Sequence, residues 1–537
     1  MPTLSWITRE IDVKSADAVP YRLLDRSEAY GEDSGNLLIQ GDNLEALKSL
    51  LPYYRGAVKC VYIDPPFNTG EAFEHYDDNL EHSIWMGVMF PRLSLINELI
   101  AEDGTFFIHL DDEEICYAVV ILDEIFGRKN RISIVSFKQS SVSGPKSRNP
   151  GVVTTNNFLA IYAKNKASWK PHNIYRAIKR DPRYSSYIQN FEDPYAEWRF
   201  EPLSAALERD VGMPLKQWRT SFDGDPEPYI ERFVLKHRDR VVQLASVAEK
   251  DINEAAREKL IKSRSSGRVE RQIRCDLDDY YFYNGKQVIF YRSKSREIDG
   301  EMTTAERVSN SWDDLLSNNV HKEGGVRFPN GKKPEALIRR CLQIATDPGD
   351  LVLDSFLGSG TSAATAHKMG RRWIGIEMRD HAVSHCIPRL QRVIDGEQEG
   401  ISKAVGWKGG GGFEFYRLGS TVFDSDGIIG AGIKFESLAA HIWFSETGIP
   451  MAGAADGPFL GVHDEQGFAL LYNGILGDKR VSGGNVLTRK TLAMVRASAG
   501  KFIGRITIYG EASRLGPDAL KNEDVMFKQS PYDVKAR

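Results

Sequence analysis

The run Lys59-Cys60-Val61-Tyr62-Ile63-Asp64-Pro65-Pro66-Phe67 constrains the fold of this chain more than any other stretch. Val61, Tyr62 and Ile63 read as a buried strand. Two consecutive prolines must end it, because each lacks an amide donor and fixes its own backbone angle. The chain therefore stops abruptly at the carboxyl end of a strand, which in open α/β sheets is where ligands bind. A carboxylate (Asp64), a carbonyl acceptor (Pro65) and an aromatic face (Phe67) are held together there, and these groups suit a flat ring bearing an exocyclic amine. The same residues also suit a plain strand-to-turn junction, with Asp64 capping nearby amides and Phe67 in the core. A second motif has to decide.

That motif is Leu351-Val352-Leu353-Asp354-Ser355-Phe356-Leu357-Gly358-Ser359-Gly360-Thr361, a strand, a glycine-rich turn and a helix start. Gly358 and Gly360 let backbone approach a ligand closely, and Thr361 is a candidate cap. Glu377 closes the next predicted strand, where a carboxylate can take two ribose hydroxyls. By itself this pattern also describes a nicotinamide dinucleotide site. Two observations favour S-adenosylmethionine. Asp354 at the strand end can meet an ammonium but would repel a pyrophosphate, and Asp-Pro-Pro-Phe has no part in hydride transfer. A cofactor pocket beside an amine-gripping pocket is equipment for methyl transfer.

The α/β rhythm around these motifs is split. Asn36 to Gln40 reads as a strand leading through Gly41-Asp42-Asn43 into a helix, then comes the strand before Asp64, then Thr105 to Leu110, a helix through Ile121 to Phe126, and a strand at Asn157 to Ala163. From about 165 to 325 the rhythm lapses into a mixed-charge helical stretch, Ile230 to Arg264, and an aromatic run, Tyr280 to Tyr283, before a hairpin-like Asn284-Gly285. It resumes at Pro334, breaks at Gly409 to Gly412, and restarts with Leu438 to Trp443, a strand at Phe468 to Tyr472, and a strand, helix and strand at Arg505 to Tyr509, Ala512 to Leu520 and Val525 to Phe527. The expected plan is an N-terminal arm (1–35), a first catalytic part (36–164), an inserted domain (165–325), a cofactor-binding part (326–405) and a C-terminal α/β module (413–537).

Composition narrows the class. With 537 residues, 41% hydrophobic and 27% charged, this is an ordinary globular chain of several domains. The stretch from Met1 to Arg22 lacks an apolar signal core and no segment has the length of a membrane span, so a cytoplasmic setting is expected. Cys60, Cys116, Cys275, Cys341 and Cys386 form no paired motif, which argues against a disulfide framework. His381 and His385 beside Cys386 lack a second ligand cluster, so no metal is expected. The net charge of -4 excludes a uniformly basic coat. Yet Arg128 to Arg180 contains no acidic residue, and Lys138, Lys146, Arg148, Lys164 and Lys166 within it are candidates for contact with DNA phosphates. A solvated basic face is the plainer alternative for such a run.

The sequence resembles the amino-methylating DNA methyltransferases of the permuted class, in which Asp-Pro-Pro precedes the glycine loop, and is particularly similar to modification subunits of type III restriction systems. The matching stretches are Gly41 to Leu44, Ile63 to Gly70, Pro91-Arg92-Leu93, Asp111 to Glu113, Asp123 to Gly127, Trp312, Lys333-Pro334 and Phe356 to Thr361, with Leu471 to Asp478 and Phe527 to Gln529 resembling family tails. The resemblance implies a Rossmann-like sheet of order 3-2-1-4-5-7-6 with its last pair antiparallel, and a target-recognition insertion where the match is poor. It implies S-adenosylmethionine held by Asp42, Lys333, Asp354, Phe356, Gly358, Gly360, Thr361 and Glu377. Asp64, Pro65, Pro66 and Phe67 would grip the N6 amine of an adenine flipped out of double-stranded DNA. Phe67 stands where tyrosine is more frequent. A homodimer with a helicase-nuclease partner is further implied. Cytosine-N4 methylation and a catalytically silent DNA-binding specificity subunit are the competing readings.

Overall fold

A computed structural model describes residues 3–67, 82–140, 151–275, 277–315, 320–328, 331–422, 429–430, 432–453, 455–475 and 477–530. The chain divides into two compact units, one built from Met1–His172 and Asn310–Arg537, the other from Asn173–Ser309.

The first unit is organised on a ten-stranded sheet. In chain order its strands are β1 (Arg22–Gly31), β2 (Leu37–Gln40), β3 (Val58–Ile63), β4 (Ile100–Leu110), β5 (Arg131–Lys138), β6 (Asn156–Ala163), β7 (Ser311–Trp312), β8 (Leu351–Asp354), β9 (Arg372–Glu377) and β10 (Gly412–Thr421). Across the sheet the order is β1-β10-β2-β9-β8-β3-β4-β6-β5-β7. The central run from β2 to β5 is the order 3-2-1-4-5-7-6, and β6 runs antiparallel to both neighbours.

The central strands read as unbroken apolar runs because both faces are covered. In β3, Val61 and Ile63 join Leu47 and Leu50 of helix Asn43–Tyr54 and Leu93 and Ile96 of helix His82–Leu99 in one core. Cys60 and Tyr62 point to the other face, over which helix Glu335–Ala345 lies. Helix Thr361–Lys368 follows β8 directly, and helix Ile387–Ile394 packs beside it.

Several expected boundaries shift. Residues 22–31, assigned to an arm, form β1, which pairs antiparallel with β10. The C-terminal module was expected to begin at 413, but Gly412–Thr421 is β10, parallel to β2 in the main sheet. Beyond it a separate sheet of four strands has the order Phe459–His463, Gln466–Leu470, Ile506–Gly510, Val525–Gln529. The expected helix at 512–520 is a short strand, Ala512–Ser513, followed by helix Pro517–Asn522; Pro517 cannot be accommodated mid-helix but suits a first turn.

The second unit lies within the expected insertion but is shorter, 173–309 against 165–325. The helical stretch 230–264 is divided into helix Glu227–Lys236, strand Val241–Ala245 and helix Glu254–Ser266. Val241 and Val242 are β-branched and wholly buried, so packing overrides the helical charge pattern. Tyr280–Tyr283 pairs with Lys286–Phe290 across a tight turn, with Asn284 and Gly285 at φ 48° and 71°. Such a turn needs two residues tolerant of positive φ. Phe282 is core, while Tyr283 stacks on Phe200 and Tyr281 leans on Trp198.

Candidate active site

The parallel strands β2, β9, β8, β3 and β4 all end on one side of the sheet, and their ends carry a row of acids: Asp42, Glu377, Asp354, Asp64 and Asp111. The two sequence motifs thus come together because β3 and β8 are hydrogen-bonded neighbours, Val352 opposite Cys60 and Leu353 opposite Val61.

Asp64 follows the last residue of β3 and is mostly covered, its side chain 17% exposed. The Pro66 carbonyl accepts the Trp85 indole N–H at 2.8 Å, which holds the diproline turn against helix His82–Leu99. Lys333 Nζ lies 2.6 Å from Asp64 Oδ2 and 4.8 Å from the centre of the Phe67 ring. Lys333 was expected on the cofactor side; its ammonium instead sits on Asp64 and over Phe67.

His109, the penultimate residue of the apolar strand β4, was not anticipated. It is wholly buried in β4, with its Nδ1 3.4 Å from Asp64 Oδ1 and 3.2 Å from the Tyr62 hydroxyl. Asn157 Nδ2 lies 2.9 Å from Nε2. With Asn157 donating to Nε2, the imidazole proton sits on Nδ1, facing Asp64. Burial pushes this imidazole well below its ordinary pKa and the nearby Lys333 charge pushes it further, so His109 is neutral. Its ring also lies 5.1 Å from Phe67, fixing the side from which that ring is supported. A lone histidine between Ile108 and Leu110 reads as core; only the register opposite β6 brings Asn157 to it.

The glycine turn is held by its own backbone and by the acids around it. Gly358 and Gly360 adopt φ 55° and 80°. The Gly358 amide donates to Glu377 Oε2 at 2.7 Å, and the Leu357 amide to the Ile376 carbonyl at 3.1 Å. Asp354 accepts from the Phe356 amide at 2.9 Å and from the Ser362 hydroxyl. Thr361 does not cap its helix. Gly360 occupies the cap position, and the Thr361 hydroxyl accepts from Arg389 Nη1 at 2.7 Å. Arg389 also pairs with Glu335 at 2.9 Å, and Glu335 with Lys368 at 2.8 Å, all three side chains fully buried. The loop therefore rests on a buried ionic network that no local sequence pattern announces.

Asp42 caps helix Asn43–Tyr54 through the amides of Leu44 and Glu45 and pairs with Arg92 at 3.0 Å. Arg92 also donates to Asn43, whose amide donates to the Ser355 carbonyl at 2.8 Å. Arg92 so braces one side of the cleft to the other. Asp42 is placed at the cleft mouth with both carboxylate oxygens engaged.

The cleft fits a cationic, hydroxyl-bearing cofactor. Burial pushes the Asp354 carboxyl up to about 7, with the charges of Asp64 and Glu377 adding to the effect. A cation set among these carboxylates would relieve that repulsion. A carboxyl whose folded pKa lies above its ordinary 3.8 binds protons more readily folded than unfolded, so the ligand-free fold loses stability as pH rises from about 4 to 7. Asp354→Asn removes that component, and melting curves of the ligand-free variant should vary less with pH over this interval than those of the parent.

The basic candidates separate. Lys138 ends β5 on the same side of the sheet as Asp64. Lys164 lies beyond the far end of β6, level with Gly104 at the opposite edge, and its ammonium sits on the Asn97 carbonyl at 2.5 Å. Lys166 follows it, its amide on Asn130. Neither lysine is near the cleft, because β6 runs against the parallel strands and carries its carboxyl end away. Lys146 and Arg148 lie outside the described residues. His381 and His385 pack on Phe328, and the described residues contain no cluster of three or more His, Cys, Asp or Glu able to hold a metal ion.

The HindVI Mod subunit of Haemophilus influenzae, named a "Probable type III restriction-modification enzyme" subunit, is 32% identical over 458 residues, covering 77% of this chain and 59% of that protein. The EcoP15I Mod subunit of Escherichia coli, of a type III restriction-modification enzyme, is 24% identical over 426 residues, covering 69% and 62%. The match thus spans about three-fifths of the length of these relatives. Among solved structures, the PvuII DNA methyltransferase (cytosine-N4-specific) aligns with a TM-score of 0.33 at 13% identity, covering 71% of this chain and 94% of that one. The family described as DNA methylase matches residues 58–387, from the first residue of β3 past the glycine loop and its supporting helices, and this chain belongs to that family.

Proposed function

We propose that this chain transfers a methyl group from S-adenosylmethionine to the N6 amine of an adenine extruded from double-stranded DNA, as the modification component of a restriction-modification system. The observation that carries the reading is the side-by-side position of Asp64–Phe67 and Asp354–Thr361 at the ends of two paired strands. Asp42, Asp354, Phe356, Gly358, Gly360, Thr361 and Glu377 are the residues that would hold the cofactor. When bound, it supplies an electrophilic methyl group on a sulfonium.

The chain's own residues do the rest. Extruding the base costs a few kcal/mol, part of which stacking on Phe67 recovers. Asp64 and the Pro65 carbonyl would accept hydrogen bonds from the two amine hydrogens and turn the nitrogen lone pair out of conjugation with the ring. As the nitrogen–carbon bond forms and the carbon–sulfur bond breaks, the surplus amine proton would leave by way of Asp64 to solvent. Neutral His109 holds Asp64 and backs Phe67. Orientation and a fixed electrostatic field supply the rate enhancement, with no covalent enzyme intermediate. Strand-resolved mapping of modified bases in DNA from cells expressing the chain tests this: N6-methyladenine at one sequence is expected, and N4-methylcytosine in its place would overturn the choice of base.

Lys138, Lys146 and Arg148 are the residues proposed to contact DNA phosphates. Replacing all three with glutamine should weaken binding on every sequence and flatten the slope of log K against log salt by about 0.9 for each phosphate no longer neutralised. A change of sequence preference at unchanged affinity would instead make them base readers. The proposed assembly is a homodimer with a helicase-nuclease restriction subunit, testable by the mass of the purified protein alone and after mixing with that subunit. No helix among the described residues is long and apolar enough to cross a membrane.

A further inference from the structure

Lys333 is held in place by its neighbours. Lys332 next to it anchors its ammonium on the Glu323 carbonyl and, at 3.0 Å, on that of Val326. On the other side Pro334 begins helix Glu335–Ala345, whose first amide donates to Glu323 at 3.0 Å. With the backbone fixed on both sides, the Lys333 side chain is 9% exposed and its ammonium lies 2.6 Å from Asp64 Oδ2, over the ring of Phe67. A nitrogen donor on this carboxylate, set against this aromatic face, is the pair of contacts the site offers an exocyclic amine on a flat ring. An amine entering on the Oδ2 side of Asp64 and stacking on the ring face that Lys333 covers would compete with Lys333 for both contacts.

From that overlap we infer that Lys333 is a resident stand-in for the target amine: it occupies the grip when no base is present and is displaced when one enters. This rests on the amine-gripping reading of Asp64–Phe67 given above. The arrangement has a physical use. A carboxylate this far from water is costly without a partner cation, and neutral His109 cannot supply one. Lys333 therefore keeps the grip assembled and charged in the absence of substrate. When a neutral amine takes its place, the charge of Asp64 is no longer cancelled, and it faces a nitrogen that becomes cationic as the new bond forms. Arrival of the right base thus switches on the field that favours reaction. A base presenting a carbonyl oxygen at that position is repelled by Asp64 and cannot displace Lys333, so the exchange also selects for amines.

The test uses the full chain and the duplex identified by methylation mapping, carrying 2-aminopurine beside the target position to report unstacking, with adenine or hypoxanthine as the target base. The parent should unstack the adenine duplex much more than the hypoxanthine one. Lys333→Met should raise unstacking on both and narrow the gap, with apparent affinity rising about fivefold or more as the competent fraction grows. Lys333→Gln should act in the same direction, while Lys333→Arg, which keeps a cation beside Asp64, should keep the gap between adenine and hypoxanthine open. Unchanged or weaker unstacking in the Met and Gln variants, or a loss of S-adenosylmethionine binding without DNA, overturns the inference. If the parent transfers no methyl group to adenine, the functional reading itself fails, and that outcome is seen without any variant.

Discussion

Asp64→Ala lowers methyl transfer by at least about 10²–10³-fold, the loss expected when one preorganised hydrogen-bonding group is removed from the reacting centre. The effect falls on turnover, because Asp64 sits at the end of β3 and makes no contribution to the apolar core beneath it. Asp64→Asn is the sharper comparison. It keeps an oxygen acceptor and the volume but loses the charge that pairs with Lys333 at 2.6 Å, so its residual rate separates hydrogen-bond geometry from electrostatics. Transfer of tritiated methyl to the mapped duplex, with DNA affinity measured in parallel, checks both. A rate unchanged in Asp64→Ala would remove this residue from the chemistry.

Arg389→Met should damage stability and the cofactor loop together. Arg389, Glu335 and Lys368 are fully buried, and removing Arg389 leaves Glu335 held by Lys368 but the buried group short of one cation, at a cost of up to about 3–5 kcal/mol. Burial pushes the Glu335 carboxyl up, but the Arg389 and Lys368 cations outweigh it and hold the group below its ordinary 4.5. Its contribution is therefore fully present above about pH 4.5 and is lost as pH falls below that. The variant should melt earlier at neutral pH and lose some of this acid dependence. The loop loses the donor to Thr361 at 2.7 Å as well, so calorimetry should show weaker binding of S-adenosylmethionine at temperatures where the variant is still folded. Unaltered melting would mean that the network carries no net stability.

The order of the central strands came from the family resemblance, while the motifs themselves marked only where three of the strands end. Asp-Pro-Pro terminates β3, the glycine turn follows β8, and Glu377 closes β9, so these three ends were readable from the residues. What stayed hidden depends on partners far apart in sequence. His109 meets Asn157 only through the antiparallel register of β4 and β6. Arg389 reaches Glu335 across 54 positions with no periodicity linking them. Lys333 carried a family expectation that concerned the cofactor, while its side chain reaches the other half of the cleft. β1 escaped because its residues are largely exposed and polar, without the alternation that marks a half-buried strand.

The pairing of β1 with β10 also sets a timetable for synthesis. Arg22 finds its partner at Thr421, and β2 lies between β10 and β9, both encoded after the inserted unit. At about 5–20 residues per second, the first two strands of a nascent chain wait roughly 20–80 s for their neighbours to emerge. During that interval they expose unpaired backbone edges, a template for wrong association. The polar, charged make-up of β1, Arg-Leu-Leu-Asp-Arg-Ser-Glu-Ala-Tyr-Gly, suits a segment that must stay soluble while it waits. A ribosome stalled before residue 412 would leave an unfinished sheet open along that side, so translation speed through the second half of the message bears directly on the yield of folded protein.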